Sequence, residues 1–363
     1  MTRIGVPTFK RKTFPIWHQD STDNPNYTSE YKRCLDNFPV DNNQANTVES
    51  FGSISFTSRF SGGGIVAPNG KIYWSPFSHD SIGVFDPSDN SYYEVTHGVS
   101  GTALYAGGCL APNGCIYFVP YQSLTILKID PSDDTVTTIG TFAAGSKWRL
   151  PSITQDGIIY GIPRNTTTIL KLDTNNDTYS EFGSLGGGAK WTGSVLGFNG
   201  CIYGIPLDST QVIKVDPSDN DSITLFGSIA GGGTFTSGAI SKEGIIYCPD
   251  YTGGNMGRID TNNDTVDITL TTNMVANQYG IVMAPNGKFY TAQYSGGVCL
   301  EIDPNTNTIT QLTNSYNGYE GINVAFNGKL YMTPRDTTKF TSVMIKAEGG
   351  VDKDFCLSRY VNK

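Results

Sequence analysis

The sequence predicts an all-β fold of seven similar four-stranded units, on three observations. A glycine that suits a tight turn recurs seven times, at spacings of 44, 43, 43, 44, 43 and 41 residues. A tyrosine stands three residues after each of these glycines, and an aspartate closes the third β-rich run of six units. A period of about 40–45 residues with four strands per unit is typical of a β-propeller blade. We therefore predict a seven-bladed β-propeller.

Residues 195–229 show the unit in full. Four β-rich runs (VLGF, CIYGIP, VIKVD and SITLF) are separated by turn-forming residues. The first turn is Asn199-Gly200, a pair that tolerates positive φ and suits a two-residue hairpin. The repeated tyrosine, here Tyr203, is expected to pack between blades with its hydroxyl at a polar edge. The repeated aspartates are Asp86, Asp130, Asp173, Asp216, Asp260 and Asp303, and Lys346 takes the seventh place.

The repeat occupies residues 47–346, and this range is the predicted propeller domain. The run at Thr47–Phe51 resembles the fourth strands of later units, whereas the seventh unit lacks a fourth strand. We predict that this N-terminal strand closes the ring, which would protect edges that otherwise pair with other molecules. The alternative is that residues 355–361 of the C-terminal tail (347–363) supply that strand.

Residues 1–46 are predicted to form an extended N-terminal arm. Prolines at positions 7, 15, 25 and 39 disfavour a long helix. The segment has no apolar stretch of the kind found in secretory signals. We expect this arm to anchor the protein to other virion or scaffold proteins. The predicted anchoring residues are Arg3, Lys10, Arg11, Lys12 and Trp17.

Composition argues against two classes of partner. The chain has 25 basic and 33 acidic residues, a net charge of −8, so it lacks the basic balance of a nucleic-acid-binding protein. No apolar run approaches the 18 residues that a membrane span needs. We therefore predict neither nucleic acid nor a membrane as a partner.

No catalytic or metal-binding constellation is evident in the sequence. The three histidines, at positions 18, 79 and 97, form no pair at metal-ligand spacing. Asp173, Asn175 and Asp177 resemble the start of a calcium loop, but the glycine and glutamate that complete such a loop are missing. Ordinary turns are the favoured interpretation. The seven cysteines include no CxxC pair and indicate free thiols in a reducing compartment. We predict no catalytic residue, no metal and no cofactor.

An aromatic residue precedes the first strand of every unit, eight to ten residues before the turn glycine. These residues would lie around one mouth of the channel, together with polar loops that join the second and third strands. Such a ring is a candidate binding surface for a glycan or a partner protein. The alternative is that the rings pack between blades. The seven residues are Phe60, Tyr105, Trp148, Trp191, Phe235, Tyr279 and Tyr319.

The units APNGKIYWSP…VFDPSDN, APNGCIYFVP…KIDPSDD and APNGKFYTAQ…EIDPNTN resemble repeats of seven-bladed propellers of the streptogramin-lyase and kelch-like class. This resemblance covers residues 47–346 and implies the fold. The lyase relies on a histidine, acidic residues and magnesium at the axial face, and the axial strands of this chain offer no histidine. The APNG-x-IY pattern is also similar to propellers encoded by tailed phages and large viruses.

Two classes of function follow. The first is a non-enzymatic binding or structural propeller on a virion, either a capsid decoration or a tail or host-attachment protein. It would be made in the host cytoplasm and anchored by its arm. The second is a cytosolic enzyme of lyase or lactonase type. A cytosolic scaffold for protein–protein interaction is a further alternative.

Overall fold

In a computed structural model of the chain, residues 47–54, 59–284, 286–296, 298–315 and 317–344 are described. They form 28 strands in seven four-stranded antiparallel sheets, which confirms the predicted seven-bladed propeller. The predicted arm, with its five anchoring residues, and the predicted tail lie outside the described residues. Among the described residues, no helix has the length and apolarity needed to span a membrane.

The first four blades follow one another along the chain. Blade I contains β2 (Ile65–Val66), β3 (Ile72–Trp74), β4 (Ser81–Asp86) and β5 (Ser91–Thr96). Blade II contains β6 (Tyr105–Leu110), β7 (Ile116–Pro120), β8 (Ile126–Asp130) and β9 (Thr135–Ile139). Blade III contains β10 (Ser152–Ile153), β11 (Ile158–Gly161), β12 (Ile169–Asp173) and β13 (Thr178–Phe182). Blade IV contains β14 (Trp191–Leu196), β15 (Ile202–Pro206), β16 (Val212–Asp216) and β17 (Ser222–Phe226), with a 3₁₀ turn at Pro217–Asp219.

The last three blades complete the ring. Blade V contains β18 (Ala239–Ile240), β19 (Ile245–Pro249), β20 (Met256–Asp260) and β21 (Thr265–Leu270). Blade VI contains β22 (Gln278–Met283), β23 (Phe289–Gln293), β24 (Val298–Asp303) and β25 (Thr308–Ser315). Blade VII contains β26 (Tyr319–Val324), β27 (Leu330–Pro334), β28 (Phe340–Met344) and the N-terminal strand β1 (Thr47–Phe51).

The ring is closed by the N-terminal strand, as predicted. β1 pairs antiparallel with β28, with Thr47 opposite Met344 and Phe51 opposite Phe340. β1 therefore occupies the edge of blade VII for which residues 355–361 were the alternative strand. Pairing the first strand with the last blade protects the outer edge of β28 and joins the two ends of the ring.

The first strand of each blade lies nearest the axis, where first strands of neighbouring blades contact each other. Glycine permits this close approach. A Cβ atom added to Gly321 of blade VII would lie 2.1 Å from the carbonyl oxygen of Gly62 in blade I. At this position, any other residue would force the two blades apart.

Neighbouring blades are joined on one face by a repeated tyrosine–aspartate contact. The Tyr117 hydroxyl of blade II donates to Asp177 Oδ1 of blade III at 2.7 Å, and Lys128 Nζ lies 2.6 Å from Asp177 Oδ2. Tyr203 and Lys214 make the same contacts with Asp264. The repeated tyrosines are buried, as predicted, and their hydroxyls reach this polar edge. Burial first, and then hydrogen bonding within this contact, raises the pKa of Tyr117 to about 12.

The aspartate- and asparagine-rich segments form turns, as predicted. Asp173 Oδ1 accepts the backbone N–H of Asn175 at 2.9 Å, and Asp177 adopts a left-handed φ of 59°. Within the described ranges, no group of three or more His, Cys, Asp or Glu side chains is placed to hold a metal ion. The five described cysteines are free and buried, and burial raises the pKa of Cys299 to about 12.

Candidate binding site at the axial mouth

Two rings of equivalent positions surround one mouth of the channel. In every blade a residue just before or at the start of the first strand faces a residue at the end of the second strand, as Trp148 faces Pro163. The residues that directly follow the two members of each pair form two further sets of equivalent positions, and eight of these fourteen residues line one cavity. The first set, here called the inner ring, is Ser61, Ala106, Arg149, Thr192, Thr236, Tyr279 and Glu320. The second set, the outer ring, is Phe77, Tyr121, Arg164, Leu207, Tyr251, Tyr294 and Arg335.

The outer ring is held in place by a backbone hydrogen bond that recurs in each blade. In each blade, the N–H of the outer-ring residue donates to a carbonyl near the start of the first strand. The acceptor is the residue that directly precedes the first member of the pair. The bond is 2.6 Å from Phe77 to Arg59, 2.8 Å from Arg164 to Lys147 and 2.7 Å from Arg335 to Gly318. Because this bond is independent of side-chain identity, the fold presents seven side chains at fixed places and leaves their chemistry free to vary.

Aromatic and guanidinium groups of the outer ring contact each other around most of the mouth. The Arg335 guanidinium lies 4.3 Å from the centre of the Phe77 ring, and Phe77 stacks on Tyr121 at 6.3 Å. Arg164 lies 5.8 Å from the same Tyr121 ring. On the other side, Tyr279 of the inner ring joins two outer-ring tyrosines, with ring centres 4.8 Å from Tyr294 and 5.3 Å from Tyr251. This sequence of contacts is interrupted at blade IV, where the outer-ring residue is Leu207.

A cavity of about 260 Å³ opens where the contacts are interrupted. Its walls come from blades III to VII and from Gly62 of blade I. The side facing blades IV and V is lined by the short side chains of Thr192 and Thr236, with Asp208 and Tyr251 at its edge. The opposite side is lined by arginine and glutamate. The cavity thus has an arginine–glutamate side from blades III and VII, here called the charged side, and a hydroxyl-bearing side from blades IV and V that also carries the Asp208 carboxylate.

Glu320 organises the charged side. Its side chain is 2% exposed, and its carboxylate accepts hydrogen bonds from Arg149 and Arg335. The Ser61 hydroxyl donates to the same carboxylate at 2.9 Å. Burial opposes the charge of Arg335, but the attraction of Glu320 outweighs it and raises the pKa of that guanidinium. This network fixes two arginines by means of one carboxylate and carries a net charge of +1.

Arg164 differs from these two arginines. Among the described residues, its guanidinium donates no hydrogen bond and pairs with no carboxylate, whereas a buried Nε without a partner is a feature that it shares with Arg149 and Arg335. Burial lowers the pKa of Arg164, and the positive charge of Arg149 lowers it further. Arg149 is already paired with Glu320, and Arg164 is the arginine of the described cavity lining without a carboxylate at ion-pair distance. A bound anion would therefore pair with Arg164.

The structure places six of the seven predicted aromatics between blades rather than in the cavity. Phe60, Tyr105, Trp148, Trp191, Phe235 and Tyr319 are all buried. The indole N–H of Trp148 donates to the Thr168 carbonyl at 2.8 Å, and that of Trp191 donates to the Gln211 carbonyl at 2.9 Å. For these six the arrangement favours the packing alternative. Tyr279 alone of the seven lines the cavity.

The predicted equivalence of Tyr279 with the other six is wrong. The strand register pairs Gln278 with Gln293, so Gln278 takes the aromatic position in blade VI. Its side-chain amide donates to the Val298 carbonyl at 3.0 Å, which replaces the indole bond of blades III and IV. Tyr279 is shifted by one residue into the inner ring, and this shift places its ring at the cavity.

The two described histidines lie in blade I, away from the cavity lining. His97 is buried, its Nε2 lies 3.0 Å from the His79 carbonyl, and its Nδ1 accepts the Val99 N–H at 3.2 Å. This arrangement requires a neutral ring with the proton on Nε2. Burial lowers the pKa of His97 below its ordinary 6.5.

A pH dependence of stability follows from His97. The unfolded chain binds this proton more readily than the folded chain, so the contribution of neutral His97 is complete above pH 6.5 and is lost as the pH falls below it. We expect the free energy of unfolding, measured with urea, to decrease from pH 7 to pH 5. In the His97→Gln variant, the free energy of unfolding should decrease less from pH 7 to pH 5 than it does in the parent protein. An unchanged slope would contradict the assignment.

The sequence missed the charged members of the site. Arg149, Arg164, Arg335 and Glu320 carry no motif, and none was predicted to bind. A signal was available, since each outer-ring residue stands four positions after a repeated tyrosine, as Arg164 follows Tyr160. At that place the repeat reads Phe, Tyr, Arg, Leu, Tyr, Tyr and Arg, so a position that is constant in geometry is variable in chemistry.

Fold and site together define a seven-bladed β-propeller with a polar, aromatic-lined cavity at one mouth. A family model described as "Repeat of unknown function (DUF6923)" matches residues 158–356, more than half of the chain. The chain belongs to this family. No curated protein matches the sequence.

Solved structures with the same fold include two lyases. A streptogramin B lyase is 15% identical with a TM-score of 0.69, over 82% of this chain and 97% of that one. Virginiamycin B lyase from Staphylococcus aureus is 13% identical with a TM-score of 0.71, over 83% and 100%. The WD40 propeller of Doa1 is 10% identical with a TM-score of 0.61, over 84% and 99%. At these identities the likeness shows the fold alone, and it confirms the fold-level resemblance to the lyase class.

Proposed function

We propose that the protein is a non-enzymatic binding module that holds a ligand in the cavity at the axial mouth. The observation that carries this proposal is the contrast between two sets of repeated positions. The buried positions between blades keep large aromatic rings in six of seven units, because packing there demands repetition. The outer-ring positions, partly exposed and equally repeated in geometry, hold four kinds of side chain. Variation of that kind suits an asymmetric ligand rather than a symmetric core.

The residue types favour recognition. Tyrosine and arginine are enriched at interfaces, and tyrosine supplies a rigid face with a polar tip. Tyr251 is 40% exposed at the cavity edge, although its ring contacts Tyr279. With threonine hydroxyls and Asp208 on the same side, the surface suits a glycan better than an apolar peptide. Glycan binding is therefore the preferred form of the proposal.

The chemistry of Glu320 supports a binding role over a catalytic one. A general acid or base must exchange a proton with the substrate. The Glu320 carboxylate already accepts from Arg149, Arg335 and Ser61. Asp208 is the other carboxylate of the cavity and is exposed to solvent. A lyase or lactonase that used a carboxylate of the described lining as its general acid or base would have only these two groups.

The proposal is tested with an array of glycans and two matched tyrosine variants. Tyr251→Ala should weaken binding by about tenfold, as expected for an interface anchor. Tyr179→Ala is the control, because Tyr179 is 39% exposed and lies on the outermost strand of blade III. Equal binding by both variants, or no glycan bound by the parent protein, would contradict the proposal.

We further propose that the propeller is carried on a virion by residues 1–46, as a capsid decoration or a tail or host-attachment protein. The supports are the repeat pattern, the low charge and the basic start of the arm. Quantitative mass spectrometry of purified particles tests this location. Hundreds of copies would indicate decoration, and about a dozen a tail or attachment role. Absence from particles would contradict the proposal and return attention to the cytoplasmic alternatives.

A further inference from the structure

We propose that the cavity takes an acidic monosaccharide unit, a sugar ring that bears a carboxylate, with the carboxylate on Arg164. This inference rests on the proposed function and specifies its ligand class. The two unlike sides of the cavity and its volume point to this ligand class.

The anion belongs on the charged side. Glu320 neutralises only one of the two arginines that it binds. Arg164 adds a further positive charge, and within the described ranges no carboxylate lies at ion-pair distance from it, although Asp208 attracts it from farther away. A planar guanidinium matches a carboxylate through two parallel hydrogen bonds. Arg149 and Arg335 are already oriented by Glu320, so Arg164 is the arginine free to make that pair. The bound carboxylate would also offset the repulsion between Arg164 and Arg149.

The hydroxyl-bearing part of the ligand belongs on the side of blades IV and V. Thr192 and Thr236 line that wall, and the Asp208 carboxylate stands at its edge. The Thr236 hydroxyl donates to the Gln278 carbonyl at 2.8 Å, which leaves its oxygen lone pairs to accept a hydrogen bond. Asp208 can accept hydrogen bonds from neighbouring sugar hydroxyls. A simple carboxylate or phosphate ion would use none of these groups.

The aromatic wall suits the face of a sugar ring. Tyr251 and Tyr279 meet edge to face, with ring centres 5.3 Å apart and planes inclined by 79°. The C–H groups on one face of a sugar can pack on such a surface while its hydroxyls point to the polar walls. The cavity volume of about 260 Å³ is below the range of about 300–1,000 Å³ for pockets that hold drug-sized ligands. It therefore limits the buried part of the ligand to one ring.

The inference is tested by isothermal titration at low salt with glucuronate, glucose and acetate as probes. Glucuronate should bind at least about tenfold more tightly than glucose, since a charge-assisted bidentate pair is lost in the neutral sugar. It should also bind at least about tenfold more tightly than acetate, which lacks the ring. Free glucuronate and an oligosaccharide that ends in glucuronate are titrated separately, which distinguishes a free acidic sugar from the end of a glycan. Binding of either one supports the ligand class.

Arg164→Gln should weaken glucuronate binding by about tenfold or more and so remove most of the preference for glucuronate over glucose. Arg258→Gln is the matched control, because Arg258 is paired with Asp267 on the outer part of blade V. The comparison of the three probes on the parent protein stands even if Arg164→Gln fails to fold.

Acetate binding as tightly as glucuronate would overturn the inference in favour of a simple anion site. Equal binding of glucose and glucuronate would overturn it as well. If a neutral glycan binds in a Tyr251-dependent manner while glucuronate does not, the acidic ligand is excluded and the binding module stands. If no glycan and no probe binds, both this inference and the proposed function are contradicted.

Discussion

Replacing Trp148 with alanine is expected to lower the free energy of unfolding by about 3–5 kcal/mol, the usual cost of emptying a large aromatic site in a core. The side chain is fully buried, its ring meets Phe142 at 5.4 Å, and its indole N–H bonds the Thr168 carbonyl. The substitution removes the packing of blade III against its neighbours and leaves that carbonyl without a donor. Chemical denaturation with urea measures the loss.

Trp148→Phe is the matched control for this prediction. It keeps an aromatic ring but removes the indole hydrogen bond, so it should cost less than Trp148→Ala. Both variants, measured where they remain folded, should bind the ligand as the parent protein does. A Trp148→Ala variant that is as stable as the parent protein but cannot bind would contradict the packing role and restore the binding alternative for this residue.

Replacing Glu320 with glutamine is expected to destabilise the protein by about 3 kcal/mol. Removing one partner of a buried ion pair costs roughly 3–5 kcal/mol, because the remaining charge stays buried without compensation. The lower figure applies here since the side chains of Arg149 and Arg335 are 11% and 19% exposed. The glutamine retains the shape of the side chain, so the loss reports the charge rather than the packing.

Two further variants make the Glu320 prediction specific. Glu243→Gln is the control, because Glu243 and Lys242 form an exposed pair 3.9 Å apart, and such pairs contribute little. Adding Arg149→Met to Glu320→Gln should recover part of the stability by removing one uncompensated charge. If Glu320→Gln unfolds at the same urea concentration as the parent protein, the network does not stabilise the mouth.

The fold could be predicted because its determinants are local and repeated. Gly200 adopts the left-handed φ of 83° that its turn needs, although the loop has three residues (198–200) and is not the predicted two-residue turn. The aspartate at 216 satisfies a local requirement of its turn, and the tyrosine at 203 recurs because blades I to V each make a similar contact with the next blade. Seven copies make that signal strong. The closing strand could be predicted for the same reason, since Thr47–Phe51 carries the fourth-strand pattern and the seventh unit lacks one.

The site could be predicted only in part, because it depends on which side chains converge across blades. The polar loops were assigned to the correct face, but Arg149 and Glu320 are 171 residues apart, and nothing in either neighbourhood indicates their pairing. The aromatic pattern also did not reveal Gln278, whose amide makes the hydrogen bond that tryptophan makes in blades III and IV. A polar residue can thus replace an aromatic one where the shared requirement is a hydrogen-bond donor.

The measurement that tests the central claim most directly is glycan binding by Leu207→Trp. Leu207 stands where the aromatic contacts of the outer ring are interrupted, so a bulkier ring there should fill the cavity without disturbing Arg164 or Tyr251. Leu225→Trp, on the outermost strand of blade IV where Leu225 is 44% exposed, is the control. We predict that Leu207→Trp abolishes binding and that Leu225→Trp retains it. Binding by Leu207→Trp at the affinity of the parent protein would place the ligand elsewhere and contradict the account.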